Sequence, residues 1–220
     1  MSPAGNGRGG PEVEFFGRMA ASISHEIKNK LAIVKEESGL ITDLFAMAER
    51  GRPYDPARIK ELAARIQVHA DEIDAIVRRL NHFSHSVDEP RRTFDVSEAL
   101  LLVGEIGRRV AAMSKVQLEL VPAPAQAQIT NDPFLIQHLL FIVLESAVAA
   151  AGPGGVVRAE VRDAADAVHV VFSGASSPPE PGAKSGGNFE DVLARSGASV
   201  TVTADPIGLA VILPKDLHRV

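Results

Sequence analysis

A histidine, a carboxylate and an amide lie within five consecutive positions, as His25, Glu26 and Asn29. Residues four apart share one face of a helix, so His25 and Asn29 are expected to lie side by side. A neutral imidazole has a free lone pair and can act as a nucleophile. Glu26 can accept the N–H of the other ring nitrogen and fix the tautomer, as an orienting carboxylate does in a triad. Asn29 can hold a water molecule or a phosphoryl oxygen without carrying charge. The spacing predicts phosphoryl-transfer chemistry at His25.

A long amphipathic helix positions these side chains. We predict that it runs from about Val13 to Glu49, with His25 off the apolar stripe and facing solvent. The stripe consists of Phe16, Ala20, Ile23, Ile27, Val34, Ile41, Leu44 and Ala48.

A second helix follows after a turn that contains Gly and Pro. Asp55 is predicted to cap it, Pro56 to begin it, and His85 to end it. Its apolar seam has heptad spacing and consists of Ile59, Leu62, Ile66, His69, Ile73, Ile76, Leu80 and Phe83. The two helices predict an antiparallel hairpin whose apolar faces are too wide to cover each other. We therefore expect two copies to form a dimeric four-helix bundle.

Composition narrows the class of protein. The 220 residues are 45% hydrophobic and contain no cysteine, which excludes disulfides, cysteine-based zinc sites and thiol nucleophiles. Residues 1–11 are expected to form a disordered tail and not a signal peptide. The most apolar stretch, 134–151, contains too many polar groups for a membrane span. We expect a cytoplasmic protein with no membrane segment and no sensory domain of its own.

Charge is uneven along the chain. The net charge of −5 arises entirely from residues 95–220, which contain 9 Lys/Arg and 14 Asp/Glu. An acidic half is a poor general setting for a polyanion such as ATP. There is no basic stripe with interleaved aromatic residues, so we expect no nucleic-acid partner.

The sequence from Ala21 to Asn29, followed by Leu31-Ala32-Ile33-Val34, resembles the H-box of bacterial two-component sensor histidine kinases. This resemblance implies that His25 is the phosphoacceptor, that Glu26 assists autophosphorylation, and that Asn29 assists dephosphorylation of a response regulator. The family usually has proline at the position of Lys30. Because proline kinks a helix, Lys30 predicts a straighter first helix.

The second half is predicted to be an α+β sandwich, with helices on one face of a mixed sheet. A helical hairpin over residues 12–87 and a linker over 88–94 would precede this domain, which covers residues 95–220. The predicted helices are 95–113, 131–150 and 189–195. The predicted strands are 116–120, 126–130, 156–161, 168–172, 199–203 and 209–213.

This order of elements resembles the ATP-binding domain of the same family, but three nucleotide-binding motifs depart from the family pattern. Ser146 replaces the magnesium-binding asparagine of the N-box, where Glu145 is the remaining carboxylate. Phe172 replaces the aspartate that recognises adenine. The glycine-rich phosphate loop is reduced to residues 182–187. We therefore expect neither ATP binding nor any other resident cofactor.

The sequence thus predicts a histidine phosphotransferase with a degenerate kinase-like domain. His25 would carry a phosphoryl group between response-regulator aspartates, Ser22 and Lys28 would contact the regulator, and Mg²⁺ would come with the regulator. Three alternatives stay open. They are a response-regulator phosphatase that uses His25, Glu26 and Asn29, a non-catalytic pseudokinase adaptor, and, more weakly, an ATP-dependent histidine kinase.

Overall fold

The computed structural model of the chain describes residues 10–88, 90–182 and 188–216. The chain divides into two compact units. One is Gly17–His82, and the other combines Met1–Phe16 with Phe83–Val220. The N-terminal segment predicted to be disordered lies outside the described residues, except for Gly10 and Pro11, which already belong to the first helix.

Two long helices form the N-terminal part of the chain. Helix α1 spans Gly10–Glu49 and is continuous through Lys30, and α2 spans Pro56–His85. The Asp55 carboxylate accepts a hydrogen bond of 2.9 Å from the backbone N–H of Ala57, so Asp55 caps α2 as predicted. Every residue of the two predicted apolar stripes is buried or half-buried.

A carboxylate is also buried along α1. The Glu37 side chain is only 3% exposed, and its Oε1 lies 2.7 Å from Nε of Arg65 on α2. A buried charge is costly unless it is paired, and this ion pair joins α1 to α2. The apolar pattern alone did not indicate it.

The remaining elements form an α+β domain, as predicted. In chain order they are β1 (Arg92–Asp95), α3 (Val96–Met113), β2 (Gln117–Val121), β3 (Gln128–Asn131), α4 (Pro133–Ala151), β4 (Val156–Asp163), β5 (Ala167–Ser173), α5 (Phe189–Ser196), β6 (Ser199–Ala204) and β7 (Ile207–Pro214). Asp95 caps α3 and Asp132 caps α4, each through its side chain.

The main sheet has five strands in the order β2-β4-β5-β7-β6. β2 is parallel to β4, and the other neighbouring pairs are antiparallel, so the sheet is mixed. Along β4 the buried residues alternate with exposed ones, as in a sheet that is covered on one face.

One predicted boundary differs from the structure. The proposed linker over residues 88–94 includes most of β1, which pairs with β3 to form a separate two-stranded sheet. The charged composition of Arg91 and Arg92 suggested a linker, but the backbone of Arg92–Asp95 forms strand hydrogen bonds. The strand predicted over residues 126–130 is β3, and it does not join the main sheet.

Helix α4 is the centre of the domain core. It is the one helix among the described residues that is long and apolar enough to cross a membrane by length and composition, and 89% of its most apolar window is buried inside the fold. Its apolar character is explained by this burial.

The ends of α1 and α2 contribute aromatic side chains to the same compact unit as α4. Phe15 is 2% exposed. Its ring stacks on the ring of His138 with the centroids 4.4 Å apart, and its centroid lies 5.3 Å from that of Phe134. Phe83 is fully buried, and its ring centroid lies 5.9 Å from that of Phe15 and 5.7 Å from that of Phe134. We call Phe15, Phe83, Phe134, His138 and Phe141 the aromatic cluster. Because of it, the compact units do not follow the predicted domain boundaries.

Candidate functional site

His25 is exposed on α1, off the apolar stripe, as predicted. It follows Ile23, which is 3% exposed, by two positions, so the two side chains project in different directions from the helix. An exposed imidazole on a rigid helix can be approached by a bulky phosphorylated partner.

Asn29 contacts His25 directly. Asn29 Nδ2 lies 3.2 Å from His25 Nδ1, as the i, i+4 spacing predicted. If the amide N–H donates to Nδ1, then Nε2 carries the ring proton. If the amide is rotated so that its oxygen accepts from Nδ1–H, then Nε2 has the free lone pair. The structure places Nδ2 at Nδ1, so only the rotated amide would leave Nε2 free as the nucleophile.

Glu26 makes a different contact from the one predicted. Its Oε1 lies 3.9 Å from Nη2 of Arg79 on α2, and its side chain is 41% exposed. Adjacent helix residues point about 100° apart, which explains why Asn29, and not Glu26, lies against the imidazole. Sequence analysis did not identify Arg79, because its role follows from the register of the hairpin.

The predicted docking residues are in the same region of α1. Lys28 is exposed and Ser22 is half-buried. Both lie within three residues of His25 along α1.

Lys30 has a partner on α2. Its Nζ lies 2.7 Å from Oε2 of Glu72, and the same oxygen lies 2.8 Å from Nδ1 of His69. Where the resembled family usually has a proline, this chain thus has a helix-compatible residue that ties α1 to α2.

Replacing Glu72 with glutamine is expected to destabilise the hairpin at neutral pH but not in acid. The hydrogen bond from Lys30, followed by that from His69, holds the pKa of Glu72 below its ordinary value of 4.5. A carboxyl whose pKa is depressed by folding stabilises the fold above its ordinary pKa, and this contribution is lost as the pH falls through the folded value. Urea midpoints of the wild type and of E72Q should differ at neutral pH and converge below pH 4.5.

Glu36→Gln is the matched control, because Glu36 is an exposed carboxylate on the same hairpin. Its midpoint should stay close to that of the wild type at every pH. A difference between wild type and E72Q that is constant from neutral pH to strong acid would contradict the role of the ionised Glu72.

In the C-terminal domain, the hydroxyl of Ser146 forms hydrogen bonds with backbone groups of the protein. It is 4% exposed, donates to the Ile142 carbonyl at 3.1 Å, and accepts a hydrogen bond of 3.1 Å from the backbone N–H of Gly182. Ser176 Oγ donates to the Ala150 carbonyl at 2.7 Å. The loop after β5 is therefore fastened to α4 at two points.

The structure describes the adenine-motif position Phe172, but only the first residue of the reduced phosphate loop. Phe172 is fully buried in the core, so its ring takes part in packing. Of the predicted reduced phosphate loop, Gly182 is described and residues 183–187 lie outside the described residues. Glu145 is 7% exposed. Among the described residues, no group of three or more His, Asp or Glu side chains could hold a metal ion.

Gly174→Ala is expected to destabilise the domain by about 1–3 kcal/mol from backbone strain alone. Gly174 has φ +102°, and a Cβ atom built there would lie 2.0 Å from the Val156 carbonyl oxygen. Both the backbone strain and the close approach to β4 oppose a side chain. Urea unfolding would measure the loss.

Gly39→Ala is a suitable control, because nothing lies within 4 Å of a Cβ built at this helical glycine. It should stabilise α1 by roughly 0.5–1 kcal/mol. Equal effects of the two substitutions would show that the constraint at Gly174 is absent.

The chain has detectable sequence similarity to a known protein. No protein-family model matches the chain. The sensor histidine kinase ZraS of Klebsiella oxytoca is 28% identical over 151 residues, which cover 69% of this chain and 31% of ZraS. The chain is therefore similar in sequence to a sensor histidine kinase. It spans about a third of the length of this curated relative.

Solved structures of histidine kinases are also similar. The catalytic domain of histidine kinase ThkA has a TM-score of 0.49 and 13% identity, over 57% of this chain and 96% of that domain. The Erythrobacter litoralis EL346 blue-light activated histidine kinase has a TM-score of 0.48 and 15% identity, over 90% of this chain and 63% of that kinase. ThkA in complex with the response regulator TrrA has a TM-score of 0.47 and 16% identity, over 94% of this chain and 64% of that one. The similarity to a histidine kinase rests on the sequence match to ZraS.

Proposed function

We propose that the chain is a histidine phosphotransferase of a two-component pathway, in which His25 carries a phosphoryl group between response-regulator aspartates without ATP. The observation that carries the proposal is the exposed His25 with Asn29 at its Nδ1 atom. A protein that receives phosphoryl groups from a macromolecular partner needs an accessible nucleophile of this kind.

In the proposed reaction, the Nε2 lone pair of His25 attacks the phosphorus of an aspartyl phosphate. The N–P bond forms as the P–O bond to the aspartate breaks, and the aspartate leaves as a carboxylate. Nδ1 keeps its proton and would donate it to Oδ1 of Asn29, which requires the Asn29 amide to rotate from the orientation that places Nδ2 at Nδ1. Mg²⁺ held by the regulator would neutralise the phosphoryl oxygens, and Ser22 and Lys28 would help to align the partner.

The absence of ATP from this reaction is supported by the loop after β5. Ser146 and Ser176 form hydrogen bonds with the protein, and Phe172 is packed in the core. Ser146 and Phe172 stand at the positions that the family resemblance assigns to the metal and to adenine. We therefore propose that the domain binds no nucleotide and has a structural or docking role.

Two other functions have an observation in their favour. The relative ZraS is named a sensor histidine kinase, which favours an ATP-dependent kinase. The amide of Asn29 beside His25 is also suited to aim a water molecule at a phospho-aspartate, which favours a phosphatase. In the phosphatase, His25 would form no covalent bond to phosphorus. The pseudokinase adaptor is the remaining alternative, in which His25 takes part in no reaction.

The assembly and location are proposed with the function. Large apolar side chains stay exposed in the hairpin of a single chain, among them Leu31 (46%), Leu40 (43%), Phe45 (49%) and Val68 (55%). A second copy would cover them in a four-helix bundle, and light scattering should then give twice the mass of one chain. We propose a cytoplasmic location, where response regulators act.

The function is tested by mixing the protein with receiver domains that carry a labelled phospho-aspartate. Label should move from the regulator to the protein in an acid-labile form and then to a second, unphosphorylated receiver. Loss of label from the regulator as inorganic phosphate alone would support the phosphatase. Stable binding without any loss of label would support the adaptor.

A further inference from the structure

Arg79 of α2 lies beside the phosphoacceptor turn of α1. Its Nη2 is 3.9 Å from Oε1 of Glu26, the residue that follows His25. The side chains of Arg79 and Glu26 are 36% and 41% exposed. An ion pair of this length and exposure contributes little to stability, so it can be exchanged at little cost.

A phosphoryl group on His25 changes the balance of charge at this place. It brings close to two negative charges and several strong acceptor oxygens to the residue that precedes Glu26 in the chain. The new anion repels Glu26 and attracts the guanidinium of Arg79. The planar fork of an arginine matches phosphoryl oxygens with two parallel hydrogen bonds.

The neighbouring cations are less suited to this role. Lys30 is 2.7 Å from Glu72 and is held there with His69. Arg78 is paired with Asp74, and its side chain is 68% exposed. Lys28 is exposed on α1, where the proposed function assigns it to the partner. Arg79 is thus the cation that α2 brings to the residue adjoining His25.

We propose that Arg79 is a phosphoryl-binding residue of this site. Glu26 holds it while His25 is unmodified, and it moves to the phosphoryl oxygens when His25 is phosphorylated, which releases the Glu26 carboxylate. The inference rests on the proposed function in that His25 must carry a phosphoryl group, but it does not depend on the donor.

Phosphoramidate tests the inference without a partner protein. The Nε2 lone pair of His25 forms the N–P bond as the P–N bond of the reagent breaks, and ammonia leaves. We expect labelling of Arg79→Gln to be about 10-fold slower than that of the wild type, since one charge-assisted contact to the incoming anion is lost. Arg79→Lys should recover part of the rate. The matched control Arg78→Gln should react like the wild type.

Two further readouts separate phosphoryl binding from a structural effect. The advantage of the wild type over R79Q should shrink as the salt concentration rises, because it is electrostatic. The ³¹P resonance of the phosphohistidine should shift in R79Q and not in R78Q. Circular dichroism would show whether R79Q is folded, and R79K provides the second variant if it is not.

Equal labelling rates and equal ³¹P shifts for the wild type, R79Q and R78Q would overturn the inference. So would a wild type whose His25 is not labelled by phosphoramidate. Failure of the proposed function is a distinct outcome, in which phosphoramidate labels His25 in an Arg79-dependent way but phosphorylated receiver domains do not.

Discussion

Replacing His25 with alanine is expected to abolish acceptance of phosphoryl groups from a phosphorylated regulator, with a loss of more than about 10³-fold in rate. Asn29 is an amide and is not a nucleophile, and the Glu26 carboxylate lies against Arg79, which leaves His25 as the acceptor that this motif offers. Acid-labile label on the protein, measured after rapid mixing with a labelled receiver domain, gives the rate.

His82→Ala is the matched control, because His82 is another exposed histidine of the same hairpin. It should accept label at the wild-type rate. Label on H25A at the wild-type rate would contradict the assignment of His25. An unlabelled H25A protein that still removes phosphate from the regulator as fast as the wild type would instead support the phosphatase.

Replacing Phe83 with alanine is expected to destabilise the unit that contains the aromatic cluster by about 3–5 kcal/mol. Phe83 is fully buried and contacts the rings of Phe15, Phe16 and Phe134 at centroid distances of 5.9, 5.3 and 5.7 Å. The substitution removes a large apolar surface and leaves a cavity between rings of several elements. Urea unfolding followed by circular dichroism measures the change.

Val202→Ala supplies the comparison, because Val202 is 52% exposed on β6 of the same unit. Its free energy of unfolding should stay within about 0.5 kcal/mol of the wild-type value. A loss below about 1 kcal/mol for F83A would mean that the aromatic cluster does not hold this unit together.

The elements of the fold were predictable because their signals are local. The apolar stripe of α1, the heptad seam of α2 and the capping residues Asp55, Asp95 and Asp132 each specify an element through neighbours a few residues away. The observed helices and strands lie close to the predicted ones for that reason. The contact between His25 and Asn29 is local in the same sense, since it follows from a spacing of four on one helix.

The contacts between distant segments were not predictable. Phe83 continues the seam of α2, so the sequence placed it in the hairpin, whereas it packs with Phe134 of α4. Likewise, the orienting role predicted for Glu26 assumed that His25 was its neighbour in space. The register of the hairpin brings Arg79 to Glu26, and no pattern within α1 contains that information.

The position of Lys30 has one local feature, the course of α1, and one contact with a distant segment. The absence of proline predicted a straighter first helix, which stays a prediction, and α1 is one continuous helix through this position. The partner of Lys30 could not be predicted, because Glu72 lies on the other helix.

The most direct test of the account is the source of the phosphoryl group. The purified protein would be incubated with ATP labelled on its γ-phosphate, and separately with a regulator that carries labelled phospho-aspartate. We predict acid-labile label on His25 from the regulator and none from ATP. Label on His25 from ATP alone would contradict the proposed loss of nucleotide binding and would identify an ATP-dependent kinase.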